Sequence, residues 1–283
     1  MTPGRLPNRA ALIATLASLA GAMAGGAAAQ AVVPPRDGAD VLRLRLQTTM
    51  APPHQAMPQD VAALDRALAD RDDPALARRL ATTADPRALV LDMNWEQTRI
   101  FDGAGLTVVL AYVHTLWRVA GTLPDQDASG LRDSAAVYAL YALNLVSLDG
   151  ERCADTTAPA NRFAQIIEQA QPALFYLRGL SREDRMTVGS LSLALEAATA
   201  PKRRDDGMIC SGGLAQYNHD QATPGGYVPV FLSPELWGPA DEKLRKALPA
   251  ELTHYLSTPQ EEGPSDAPPG DAASPPAPPA PAP

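Results

Sequence analysis

The 283-residue sequence predicts a mainly α-helical protein: a single-domain, irregular helical bundle around two central apolar helices, with at most one or two short strands. Three observations predict it. Apolar residues recur at helical spacing from Pro58 to Leu256. Two adjacent segments, Gly105–Gly121 and Leu131–Gly150, are apolar nearly all round, the mark of helices buried on every side or crossing a membrane. At 46% hydrophobic residues the chain has enough apolar surface for a sizeable core.

The two ends differ from the body. Arg5 and Arg9, the apolar run from Ala10 to Ala24, and Ala29-Gln30-Ala31 read in order as the three parts of a secretory leader spanning 1–31. Cleavage is expected before Val32, with Ala27-Ala28-Ala29 as the competing site. From Pro259 to Pro283 the chain holds ten of its 28 prolines and no large aliphatic or aromatic residue. Such a composition predicts a disordered Pro/Ala-rich tail of polyproline II character, acting as a spacer, as a ligand for a Pro-binding groove through Pro276 and Pro279, or as a passive solubilising segment. The folded body is therefore expected over 32–258. Of the net charge of −8, the leader carries +2 and the tail −4, which leaves the body at −6. A mildly acidic body argues against a nucleic-acid partner, which requires a Lys/Arg-rich face. Lysine occurs only three times against 21 arginines; with the abundant alanine this suggests a GC-rich, bacterial genome.

Along the body, VLRLRLQ (41–47) alternates as a half-buried strand would, and TTMAPPHQAMP follows as a loop. DVAALDRALADRD puts Val61, Leu64 and Leu68 on one helical face. Asp73-Pro74 and Asp85-Pro86 each read as an N-cap followed by proline in the first turn. They open PALARRLATTA and RALVLDMNWEQTRIFDG, the second stopping at Gly103. The two apolar segments follow. Their longest charge-free runs, Leu106–Leu116 and Ser134–Leu148, are shorter than the ~18 residues a membrane span needs, so both are read as core helices. NRFAQIIEQAQPALFYLRGL is expected to kink or split at Pro172. Ser181 caps a helix reaching Ala200, which Pro201 ends. Residues 201–232 have no sustained period and form an unusually long connection, within which YVPVFL suggests a short strand paired with VLRLRLQ. Pro239 to Leu256 reads as an amphipathic helix broken near Pro249.

Cys153 and Cys210 are the only cysteines. An even count in an exported chain favours a disulfide. Closing a loop of about 58 residues, it would contribute on the order of 4 kcal/mol. His114 and Arg118, at i and i+4, share a helix face; if the preceding helix packs antiparallel, Asp92, Glu96 and Asp102 could meet them as an acid/base pocket, an anion clamp or a satisfied polar layer. Met50, His54 and Met57 carry thioether and imidazole ligands suited to copper, at a spacing that would bind it weakly. His219 could act as a base, with Asp220 too close along the chain to orient it easily. Tyr138, Tyr141 and Asn144 suit buried aromatic packing or a ligand. No nucleophile elbow, zinc-protease, EF-hand, dinucleotide or P-loop pattern is present.

The sequence thus leads to an exported, periplasmic or secreted, non-catalytic α-helical binding or interaction protein of the bacterial envelope. It would carry no cofactor and no transmembrane span in the mature chain. Its partner, protein or small molecule, is not specified by any motif. The alternatives are an enzyme with a pocket around His114, Arg118 and Glu96, and a weak copper binder. N-terminal sequencing of the chain exported from a bacterial host is expected to begin at Val32; an uncut Met1 terminus would refute the leader.

Overall fold

The computed structural model describes residues 56–258. The leader, VLRLRLQ, Met50, His54 and the Pro/Ala-rich tail lie outside them. Helices follow one another through short connections: α1 (Val61–Ala69), α2 (Asp73–Thr82), α3 (Pro86–Phe101), α4 (Leu106–Ala120), α5 (Asp125–Asp149), α6 (Thr157–Gln169), α7 (Gln171–Gly179), α8 (Arg182–Thr199), α9 (Leu214–Ala222) and α10 (Pro234–Ser257). The fold is mainly α-helical, as the hydrophobic spacing implies, and no helix among the described residues is long and apolar enough to cross a membrane.

Local chemistry explains the boundaries. Asp85 accepts the Ala88 N–H at 2.8 Å and Pro86 opens α3. α2 starts the same way, but its cap is Asp72, which accepts the Ala75 N–H at 3.1 Å, one residue before the expected Asp73. Ser181 accepts the Asp184 N–H at 3.1 Å and donates to the Asp184 carboxylate at 2.9 Å. Pro172 sits in the first turn of α7 and splits it from α6. α5 begins at Asp125, six residues before Leu131, because Pro124 sets the entry and Asp125 and Asp127 complement the positive end of the helix dipole.

The core is built around α4 and α5, an antiparallel pair joined by the 121–124 connection. From Ser134 to Val146 every residue of α5 is buried. α4, α8, α7, α6 and α10 all pack against it, while α3 covers the other side of α4. Tyr112 meets Tyr138 edge-on with ring centroids 4.5 Å apart, and Tyr138 meets Tyr141 at 6.3 Å. Such pairs add about 0.5–1.5 kcal/mol each beyond their burial. Tyr141 and Asn144 reach the hydroxyls of Thr199 and Ser192 on α8 at 2.7 and 3.3 Å. These three residues therefore serve packing.

The 201–232 stretch departs from the sequence reading. A 3-10 turn (Ala200–Lys202) leads into it, and α9 forms inside it. YVPVFL does not form a named strand. Its Phe231 makes one antiparallel bridge to Cys153, with Val230 and Leu232 bonded to Ala154 and Arg152 at 3.0 and 2.7 Å. α10 starts at Pro234 rather than Pro239 and runs unbroken through Pro249. That proline lies on the exposed side, where a missing backbone N–H is least harmful, while Leu248 and Leu256 anchor the helix on either side of it.

Two covalent or ionic links tie this stretch to the bundle. Cys153 and Cys210 are joined as a disulfide with Cα atoms 5.2 Å apart. Arg203, its side chain 2% exposed, binds Asp149 of α5 at 2.9 Å and Glu196 of α8 at 2.6 Å. Glu196 also accepts from Arg245 of α10 at 2.7 Å. Removing Arg203 would leave buried Asp149 with only Arg152 at 3.4 Å and Glu196 with only the half-buried Arg245, so Arg203→Ala is expected to lower the unfolding free energy by about 3 kcal/mol in urea titrations. Arg245→Ala, at a partly exposed pair, is expected to lower it by about 1 kcal/mol or less. Equal losses in the two variants would contradict this ranking.

Candidate functional site

The turn between α3 and α4, Asp102-Gly103-Ala104-Gly105, sets the geometry of a groove. Gly103 has φ +91°, a left-handed conformation open to glycine, and a Cβ there would lie 2.6 Å from the Lys202 carbonyl oxygen. At Gly105 a Cβ would collide with the Asp206 carboxylate. The two glycines let the 202–208 segment close on the turn. Lys202 Nζ then donates to the Phe101 carbonyl at 2.7 Å. Asp206, a hundred residues away in sequence, caps α4: Oδ2 accepts the Leu106 N–H at 2.6 Å and Oδ1 the Met208 N–H at 2.8 Å. Burial pushes the Asp206 carboxyl above its usual range, against the pull of those two donors.

Between this segment and α1–α2 lies an open groove of about 1020 Å³. Leu68, Asp73 and Ala77 line the α1–α2 side, and Tyr227 and Phe231 the rim above the 202–208 segment. Arg162 of α6 holds that segment through the Met208 carbonyl at 2.8 Å and the Ser211 carbonyl at 3.4 Å. Arg71, in the α1–α2 turn, lines the groove in a left-handed conformation with φ 57°, which a non-glycine residue adopts only under strain. Arg99 is already committed, with two bonds of 2.7 Å to Asp65 and one of 3.2 Å to Asp102. Burial opposes ionisation of Asp65, yet the hydrogen bonds from Arg99 and Trp95 hold its carboxyl below the usual range.

The residues singled out in sequence fall elsewhere. Glu96 is fully buried between α3 and α4, with Oε1 accepting from Thr115 at 3.0 Å. Thr115, one position on from His114, is the residue that faces it; a rotation of about 100° per residue carries His114 to the exposed surface. Partial desolvation and the neighbouring Arg118 charge hold the His114 pKa below its ordinary value. Arg118 turns to the end of α2 and donates to the carbonyls of Ala81 and Thr83. Asp92 is taken by Arg79 at 3.1 Å and by Thr83 at 2.6 Å, and Asp102 by Arg99. His114, Arg118 and Glu96 thus share no hydrogen bond: Glu96 is turned inward to Thr115, Arg118 to the end of α2 and His114 to the surface. His219 lies 3.3 Å from Asp220 and edge-on to Tyr227, on the partly exposed α9. Met57 is half-buried, its proposed partners Met50 and His54 lying outside the described residues. No group of three or more His, Cys, Asp or Glu side chains able to hold a metal occurs among the described residues.

The groove residues Arg71, Arg162, Lys202, Arg204 and Asp206 escape a sequence reading because they meet only through the fold. The available signals are the Gly103-x-Gly105 spacing and the dense charge run Lys202–Asp206. No protein-family model, curated protein or solved structure matches the chain.

Glu96 generates a test of the core. Burial pushes its carboxyl from an ordinary 4.5 up to about 8, so the folded state holds this proton more tightly than the unfolded chain. The stability linked to that proton is complete below pH 4.5 and is lost as pH rises to about 8. Between pH 5 and 8 the wild type is expected to lose on the order of 4 kcal/mol relative to Glu96→Gln. Parallel stability curves for the two proteins would contradict the assignment.

Proposed function

We propose that the chain is an exported, non-catalytic binding protein of the bacterial envelope whose site is the groove between α1–α2, the α3–α4 turn and the 202–208 segment. Export rests on the leader pattern at the N-terminus and on a paired rather than reactive set of cysteines. The observation that carries the binding reading is the groove itself. At about 1020 Å³ it is of the size that accepts a small molecule, and mutually bonded elements hold its walls. A non-catalytic role is supported by the groove carboxylates. Asp65 and Asp102 share the single charge of Arg99 and Asp206 spends both oxygens on backbone N–H groups, which leaves Asp73 alone, among the described residues, without a hydrogen-bonding or ionic partner to activate it.

Native mass spectrometry of the mature protein from a bacterial periplasm tests this, with Ala77→Trp as the comparison. Ala77 is exposed and lines the groove, so a tryptophan there intrudes into the groove without entering the core. A small molecule carried by the wild type and lost from the variant, at unchanged helical circular dichroism, is expected. A wild type that carries nothing, or equal loading of both proteins, would overturn the proposal.

A further inference from the structure

The geometry points to the chemical class of the ligand: an organic anion, with a carboxylate or phosphate group attached to an apolar or ring-shaped body. This rests on the groove being the binding site and narrows what it accepts.

Hydrogen-bonding capacity is unevenly spent along the groove. On the acceptor side Asp65 and Asp206 are fully engaged, while Asp73, Asp102 and Asp205 keep oxygens open to solvent. Asp65 accepts from Trp95 as well as Arg99, at 2.8 Å and 2.7 Å. Asp205 lies 3.5 Å from Arg152. Asp73 is the groove carboxylate with no hydrogen bond or ion pair among the described residues, and it stands in the first turn of α2, where the helix dipole offsets its charge. On the donor side much is spare. The guanidinium groups of Arg71 and Arg204 make no hydrogen bond or ion pair among the described residues. Lys202 spends one of its three N–H groups on Phe101, whereas Arg162 is engaged on neutral acceptors through all three nitrogens and lies in the field of Asp206 and Asp73. Four groove cations (Arg71, Arg162, Lys202 and Arg204) lack an ion pair among the described residues, against two carboxylates (Asp73 and Asp206), and this excess fits a ligand with anionic oxygens. The remaining lining is apolar: Leu68, Pro74, Met208, Tyr227, Pro229 and Phe231 offer a face for carbon, including a ring against the two aromatics. The strain at Arg71 fits the same reading, because a glycine would occupy that turn more easily yet would leave the groove without this donor.

Titration calorimetry tests this with four probes: 3-phenylpropionate, phenyl phosphate, inorganic phosphate and the neutral 3-phenylpropanol. The proteins are wild type, Ala77→Trp, and the double variant Arg71→Ala, Arg204→Ala, whose exposed side chains hold nothing in the fold. Saturable binding of at least one organic anion to the wild type is expected, weakened about tenfold or more in the double variant and abolished in Ala77→Trp. The alcohol and inorganic phosphate are each expected to bind about tenfold more weakly than that anion. Equal binding of the alcohol, an unaffected double variant, or no binding of either organic anion at about 1 mM would overturn the anion assignment, while the periplasmic mass spectrum still decides the groove. Inorganic phosphate binding as tightly as the organic anions would overturn the apolar half. Undiminished binding to Ala77→Trp would instead overturn the groove as the site.

Discussion

Everything else in this structure answers to one constraint: α5 has no polar face. A helix buried from Ser134 to Val146 cannot be satisfied by a single partner, because every direction around its axis must be covered by another apolar surface. α4 and α8 cover most of it, and α6, α7 and α10 cover the rest. The covering helices need only one apolar stripe each, so they can carry the charge that keeps the chain in water. The division into two central helices and a ring of amphipathic ones is therefore a consequence of where the chain places its uncharged residues. Most polar groups that enter this interior are hydrogen-bonded for the same reason, the Tyr138 hydroxyl being an exception among the described residues. Tyr141 and Asn144 each find a hydroxyl on α8, and Asp133 accepts from the Tyr176 hydroxyl of α7 at 2.9 Å. An unpaired polar group there would be penalised by 1–3 kcal/mol or so.

Where α5 ends, the burial requirement turns into an anchoring device. Asp149, its last residue, is 4% exposed and needs a cation. Arg203 supplies it and brings Glu196 of α8 into the same cluster, and Glu196 in turn recruits Arg245 of α10. Four elements meet at this point. Seven residues further on, Cys210 is bound to Cys153, which lies just beyond the 3-10 turn that follows α5. The 203–210 segment is thus pinned at both ends to the same end of the central helix. Its middle, Arg204 to Met208, is what lines the groove.

Much of this is legible in the amino-acid sequence. The caps at Asp85 and Ser181, the split at Pro172, the two core helices and the cysteine pair all depend on interactions within a few residues or on a pairing with one solution. The failures share a different character. α9 has no buried residue, and its N-terminus is capped from afar, by Asp155 on Ala215 and by Thr157 on Leu214, each at 2.8 Å. Its formation is a tertiary event that no local pattern announces. α10 survives Pro249 because that residue faces solvent, a fact of rotation and packing rather than of composition. His114 and Arg118 do share a face, as their spacing requires, but that face looks outward. Spacing fixes which residues travel together and leaves open which way they point. The groove was the least legible feature, since Gly105 and Asp206, the pair that closes it, are about a hundred residues apart in the chain.

Why the groove stands open and ordered without help follows from these links. A site built from a long connection would ordinarily lose affinity to the entropy of ordering it, roughly 1–2 kcal/mol for each backbone residue fixed. Here the disulfide, the Arg203 cluster, the Asp206 cap on α4 and the bond from Lys202 to Phe101 order the wall during folding. A ligand entering the groove meets a surface already held in place, and its contacts do not have to offset that entropy again. The same links explain why glycine stands at 103 and 105. A side chain at either position would push the wall off the turn, and with it the cap that begins one of the two central helices. The geometry of the groove and the stability of the core are therefore set by the same few residues.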